Sequence, residues 1–343
     1  MYRQVKKFKD IGGYFYVEGL IYDIKEGENE DKGKRYFQEL SLKGEVLWQS
    51  EESNVYSYHV NQEVIIFNLK TAEETAEDIL IYDRKTKKLI AKKNINLLLY
   101  IDECFEGNIL YNIDDDNVIV FDILEGKVLS EKNTSIKGIT AFLTDEYIVN
   151  YSNTYIYVYK KNDYSLLWQQ NIQDFFPKEE EIEIYSVHPY KNTFIVIAKM
   201  GIVCISQKDG SLIWKSDYYA RTMEIVEHYG YVCTSLSFYR VDLDTGECFF
   251  YNREYARLPD FEYNGETYYP SGHKVVYHNG LLWYDVYTSK HPSIIAIDPE
   301  TATYQWIYEV KDTYEDIEEI RFYDNKMFVT DTGNNLFIYE EEI

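Results

Sequence analysis

The sequence predicts an all-β ring of four-stranded antiparallel units, a β-propeller, and three observations predict it. One hairpin phrase recurs along the chain, the recurrence is spaced at about forty residues, and the composition suits pleated, half-buried strands. The phrase is an apolar strand, a polar turn often holding Gly, and a second strand often ending in Trp. It reads Leu40-Ser-Leu-Lys-Gly44-Glu-Val-Leu-Trp48, then Ile81 to Leu89, Val120 to Leu129 around Gly126, and Val158 to Trp168. It returns as Cys204-Ile-Ser-Gln-Lys-Asp-Gly210-Ser-Leu-Ile-Trp214, as Val241 to Phe249 around Gly246, and as Ala296 to Trp306. Each copy is a hairpin, two alternating strands joined by turn chemistry.

Two more strands precede each hairpin. Ile184-Tyr-Ser-Val, a turn at His188 to Asn192 and Phe194-Ile-Val-Ile-Ala198 lead into the Gly210 copy. Lys274-Val-Val-Tyr, a turn at His278 to Gly280 and Leu281-Leu-Trp-Tyr lead into the Trp306 copy. Each unit is therefore strand A, B, C and D, and a lone unit cannot bury both its faces without neighbours. The units run 1–50, 51–94, 95–134, 135–174, 180–217, 218–253, 272–311 and 317–343, one propeller across 1–343, with eight blades expected and seven as the alternative. The last unit lacks strand D. Residues 3–8 could supply it, while Val5 to Val17 also align as strands A and B of the first blade.

The hairpin resembles the tryptophan-docking repeat of quinoprotein-type (PQQ-like) propellers, close to Ala-x-Asp-x-x-Thr-Gly-x-x-x-Trp. Ala296, Asp298, Thr301 and Trp306 match, with Ala302 in the Gly place; Asp242, Thr245 and Gly246 match in the sixth unit. Trp48, Trp168 and Trp214 keep the Trp without the full motif. The resemblance implies a propeller. It does not extend to a quinone-dependent dehydrogenase, since the vicinal Cys pair that several such enzymes carry is absent and the N-terminus shows no apolar export segment. The Gly-His and Trp-Asp marks of WD40 repeats do not recur: Gly-His occurs once, at Gly272-His273, and Trp-Asp not at all.

Four cysteines form no CxxC pair, and Cys104, Cys204 and Cys233 sit in or beside apolar runs, so reduced structural thiols and a cytoplasmic location are expected. No stretch reaches the roughly 18 apolar residues of a membrane-spanning helix. A net charge of −24 disfavours nucleic acid and anionic membranes, which share its sign. Asp114-Asp115-Asp116-Asn117 lacks the Gly of a calcium loop, with Ile119 in its place, and reads as a turn. His59, His188, His228 and His278 recur at the turn between A and B and read as polar turn residues, with a metal or phosphate site as the alternative. No nucleophile elbow, HExxH, P-loop or dinucleotide fingerprint is present, so neither an enzyme nor a cofactor is expected.

Charge placement is more informative. In a propeller the B–C and D–A connections share one face. The B–C connections carry Glu26, Glu28, Glu30 and Asp31, then Glu73, Glu74, Glu77 and Asp78, then Asp114, Asp115 and Asp116. The D–A connections carry Glu179, Glu180 and Glu181, then Asp312, Glu315 and Asp316. The same face receives the insertion Asn252 to Gly272, with Arg253, Tyr255, Arg257, Phe261, Tyr263, Tyr268 and Tyr269. Tyr and Arg are typical interface anchors, and acidic surroundings steer a basic partner. The expectation is a monomeric, non-enzymatic binder of a basic protein, such as an immunity protein against a toxin. A general scaffold, or a ligand-, sugar-binding or enzymatic propeller using the axial pocket, is the alternative.

Overall fold

Unbroken apolar runs mark strands covered on both sides. Val64, Ile65, Ile66 and Phe67 are all fully buried, and their side chains alternate between two neighbours. Val64 and Ile66 join the cluster that includes Leu110, Ile119 and Phe121, while Ile65 and Phe67 join the one that includes Tyr22 and Phe37. A sheet with both faces apolar needs a sheet on each side, and a ring supplies one to every member.

The computed structural model describes residues 2–11, 13–27, 32–70, 77–95, 97, 99, 104–113, 117–177, 182–234, 237–251, 258, 260–263, 265–268, 274–286 and 291–341, leaving out the side chains of Glu77 and Glu266. Blade 1 holds strands A to D at Phe15–Val17, Leu20–Glu26, Arg35–Ser41 and Val46–Gln49. Blade 2 follows at Val55–Val60, Val64–Lys70, Glu77–Asp83 and Leu89–Asn94, and blade 3 at Phe105–Glu106, Ile109–Ile113, Asn117–Asp122 and Lys127–Asn133. Blade 4 is Ile139–Leu143, Tyr147–Tyr151, Tyr155–Lys160 and Leu166–Asn171; blade 5 is Ile184–Tyr190, Thr193–Ala198, Gly201–Ser206 and Leu212–Ser216. Blade 6 is Thr222–Val226, Tyr229–Cys233, Phe238–Asp242 and Cys248–Phe250; blade 7 is Val275–His278, Leu281–Val286, Ser293–Ile297 and Tyr304–Glu309. No α-helix occurs among the described residues.

Blade 8 settles the count at eight. Its strands A to C are Ile317–Tyr323, Lys326–Asp331 and Leu336–Glu341, and Tyr2–Phe8 pairs antiparallel with the last of these, from Tyr2 opposite Glu341 to Phe8 opposite Leu336. The alternative placement of Val5 to Val17 as the first two strands of blade 1 is thus corrected. The physical reason is packing: Tyr2 is buried edge-on against Trp283 of blade 7 at 5.3 Å and Phe322 of blade 8 at 5.8 Å, in the apolar cluster that joins the last two blades. One apolar cluster fills each of the eight junctions between consecutive blades, including the junction of blade 8 with blade 1, where Phe328 and Ile338 meet Ile21 and Leu40.

The recurring turn has a shared construction. Asp83, Asp122, Asp242 and Asp298 accept from backbone amides two and three residues ahead or at the third alone, the local bond that starts such turns. A left-handed residue then closes each C–D turn: Gly44, Lys87, Gly126, Tyr164, Gly210, Gly246 or Ala302. At two junctions the preceding blade's tryptophan lies on that glycine. Trp168 Nε1 donates to the Gln207 carbonyl (3.0 Å) and Trp214 Nε1 to the Leu243 carbonyl (3.0 Å). A Cβ on Gly210 or Gly246 would stand 2.9 or 2.7 Å from the ring, so the Gly and Trp of the repeat are two halves of one inter-blade contact.

Candidate functional site

Strands A of consecutive blades approach one another and so line the axis. With antiparallel order A to D, the D–A and B–C connections emerge on one face and the A–B and C–D turns on the other.

On the A–B/C–D face many carboxylates are committed to structure. Besides the turn-capping aspartates, Asp209 and Asp163 accept from Ser211 and Ser165, which hold both carboxyls below the usual range. The histidines are also engaged. His278 stacks on Phe322 at 3.9 Å, His59 on Phe105 at 3.8 Å, and His188 meets the Ser186 hydroxyl at 2.9 Å. Only His228 of the four sits in the A–B turn itself; the others belong to strands A. Among the described residues no group of three or more His, Cys, Asp or Glu could hold a metal ion. No disulfide joins the four cysteines, and Cys104, Cys204 and Cys233 are buried.

Lys87, in the C–D turn of blade 2, is not a solvated turn residue. Its ammonium pairs with Glu39 of blade 1 and stands 5.7 Å from the Trp48 ring, beside Arg84, which binds Glu18, Tyr22 and the Gln62 carbonyl. The side chain of Arg84 is 3% exposed. Breaking one partner of a buried pair leaves the other uncompensated. Lys87→Ala is expected to lower stability by about 2 kcal/mol, and Lys85→Ala, on an exposed neighbour, by less than about 0.5 kcal/mol, both read from denaturant titrations.

On the D–A/B–C face the described acidic residues differ among themselves. Glu26 accepts from the Gly33 amide at 3.1 Å. Asp78 pairs with Lys92 at 2.9 Å, and this ammonium with the Asn94 amide holds its carboxyl below the usual range. Asp312 accepts from Gln4 of the closing strand at 2.7 Å, so it serves ring closure. Glu315 and Asp316 are exposed in the connection from blade 7 to blade 8, and Glu77 opens strand C of blade 2. Glu28, Glu30, Asp31, Glu73, Glu74, Asp114, Asp115, Asp116, Glu179, Glu180, Glu181, Arg253, Tyr255, Arg257 and Tyr269 lie outside the described residues.

Within the insertion, Phe261–Tyr263 and Glu266–Tyr268 form a small hairpin. Phe261 stacks on Tyr268 at 5.2 Å and packs on Tyr304 at 4.3 Å; the Tyr268 hydroxyl binds Glu309. Tyr268 is 2% exposed. This corrects its assignment as a partner contact: with Phe261 it pins the insertion to strand D of blade 7. Tyr263 lies edge-on to Tyr268 at 6.1 Å. The aromatics that do face solvent were not singled out from the sequence. Tyr314 is 80% exposed, Tyr218 52% and Tyr219 46%, all in D–A connections, with Ile139 at 61% where strand A of blade 4 begins. Their signal was a Tyr within a few residues after a strand D, hidden among 36 tyrosines.

The same face holds a pocket of about 640 Å³ at the junction of blades 8, 1 and 2. Strand A of blade 1 is short, and its pairing with strand B stops at Phe15 opposite Tyr22. Asp23 and Ile24, next along strand B, have no inner strand against them and line the opening with Tyr14, Arg35, Tyr56 and Arg321. Asp23 is 2% exposed and its Oδ2 meets no hydrogen-bond donor among the described residues. Burial pushes its carboxyl up to about 7, against the pull of the Ile24 amide, Gln38, Lys25 and Arg35. A second cavity of about 620 Å³, at blade 6, is lined by Arg240, which is already paired with Glu300 at 2.8 Å and stacked on Tyr229 and Phe249.

The fold and this face define an eight-bladed β-propeller. No family model matches the chain, and neither does any curated protein. Solved structures do. The chain is similar to BamB from Moraxella catarrhalis, at a TM-score of 0.64 and 8% identity over 99% of this chain and 100% of that one. It is similar to the C-terminal WD40 domain of Sif2 (0.65, 8%, over 100% and 99%) and to Sqt1 of Saccharomyces cerevisiae (0.61, 9%, over 100% and 98%). At such identities the likeness is one of fold.

Proposed function

We propose that this propeller is a non-enzymatic protein-binding module that uses its D–A/B–C face to hold a basic partner protein. The observation that carries the reading is the set of solvent-facing tyrosines, Tyr218, Tyr219 and Tyr314, on connections of a rigid ring beside exposed Asp217, Glu315 and Asp316. Large aromatics lose little conformational freedom on binding and dominate interface energetics. The opposite face differs in kind, since its carboxylates are largely occupied in capping turns and joining blades.

A net charge of −24 favours a partner of opposite sign. Within that class the reading is an immunity protein that blocks a basic toxin such as a nuclease; a scaffold for a larger assembly is the broader form of the same proposal. The identity of the neighbouring gene separates them, because a small basic toxin domain beside this gene favours immunity.

Association with the partner is expected to be fast and salt-sensitive, because exposed charges act over a Debye length of about 8 Å at physiological ionic strength. Reversing Glu315 and Asp316, or Glu179, Glu180 and Glu181, to Lys should slow association about tenfold and leave dissociation nearly unchanged. Tyr314→Ala should instead speed dissociation by about thirtyfold, the equivalent of about 2 kcal/mol. Stopped-flow or surface-based kinetics at two salt concentrations reads both. Equal effects from Lys85 and Lys88 on the opposite face would contradict the placement.

A further inference from the structure

The pocket beside Asp23 has a composition that selects its ligand. A satisfied interior does not leave a carboxylate oxygen bare, so Oδ2 of Asp23 calls for a donor from outside the chain. Arg35 is exposed at the start of strand C and stands close enough to act on the charge of Asp23. A guanidinium fork matches a carboxylate in two parallel bonds. Arg321 adds positive charge from blade 8, with its Nε on Glu319 at 2.8 Å and its guanidinium 5.8 Å from the Tyr14 ring. A lysine or arginine side chain of a partner is therefore a poor occupant, since two guanidinium groups line the cavity. A purely apolar ligand would leave Asp23 unsatisfied. The volume, about 640 Å³, falls within the range of small-molecule sites, roughly 300–1,000 Å³, and holds a molecule of one or two rings.

We propose that this pocket binds a small carboxylate carrying a hydroxyl group, the chemistry of a sugar acid, with the carboxylate on Arg35, the hydroxyl donating to Asp23 and the ring against Tyr14 and Phe15. The site is separate from the exposed tyrosines, so it stands whether or not a protein partner occupies the face.

Calorimetric titration of the full chain with glucuronate and galacturonate tests it, with glucose as the neutral match and acetate as the carboxylate without hydroxyls. The sugar acids should bind at least about tenfold more tightly than either control, the difference one lost charge-assisted contact makes. Arg35→Gln, on an exposed residue, should weaken binding about tenfold without moving the melting temperature, and Asp23→Asn should weaken it by replacing a charged acceptor oxygen with an amide donor. A digalacturonate arm separates the two sources: tighter binding than the monomer assigns a polysaccharide end, equal binding a free sugar acid. No heat from either sugar acid, glucose binding as tightly as they do, or binding indifferent to Arg35→Gln overturns the assignment.

Discussion

Gly201→Ala should remove about 4 kcal/mol of stability, a large share of the 5–15 kcal/mol by which domains are stable. Gly201 opens strand C of blade 5 with φ at +155°, a region that side chains rarely adopt. A Cβ there would fall 2.0 Å from the Ser216 carbonyl oxygen and 3.1 Å from its carbon. Those atoms belong to strand D, and Ser216 pairs with Ile202 next door, so nothing can rotate aside. Relief needs the outer strand to move, which disturbs the seat of Trp214 on blade 6 as well. Gly13→Ala is the matched control, since a Cβ there meets nothing within 4 Å. Denaturant titration should place the control within about 0.5 kcal/mol of the parent. Equal values for the two would show that the close approach at Ser216 is not a constraint.

Asp23 should make stability fall with rising pH over a defined window. Its carboxyl is raised from 3.8 to about 7 in the folded chain, chiefly by burial. Between those values the native state keeps a proton that the unfolded state has released. Folding is therefore increasingly opposed as pH rises through the window, and above it the full penalty remains, about 4 kcal/mol at about 1.4 kcal/mol per pH unit. Asp23→Asn removes the charge and keeps the shape. The variant should match the parent near pH 4 and exceed it by about 4 kcal/mol at pH 8. An equal difference at both values would mean that the gain comes from packing and not from titration.

The repeats were legible because each is local. Asp242 to Gly246 lies within one turn, and strand alternation needs only neighbours along the chain. What required the fold was everything assembled across it. Tyr2–Phe8 pairs with Leu336–Glu341 at the far end of the chain, and no hairpin turn announces that pairing. Lys87 reads as an exposed charge until its left-handed backbone turns it toward Glu39. Tyr268 reads as a loop aromatic, although Glu309 and Phe261 bury it. The pocket exists because strand A of blade 1 ends early, a matter of register, and it joins Asp23 to Arg321 across the ring closure. Of the acids assigned to one face from charge, Glu315 and Asp316 are exposed while Asp78 and Asp312 are paired, and the solvent-facing tyrosines lie outside the long insertion.

Tyrosine-directed footprinting of the chain with and without its bound partner tests the binding face most directly. Tyr218, Tyr219 and Tyr314 report the D–A/B–C face, and Tyr277, 39% exposed near the A–B turn of blade 7, reports the other. With the D–A/B–C face as the binding face, modification of the first three should fall at least about fivefold on binding, as for residues at the centre of an interface, with Tyr277 unchanged. Protection of Tyr277 while Tyr218, Tyr219 and Tyr314 stay reactive would contradict it.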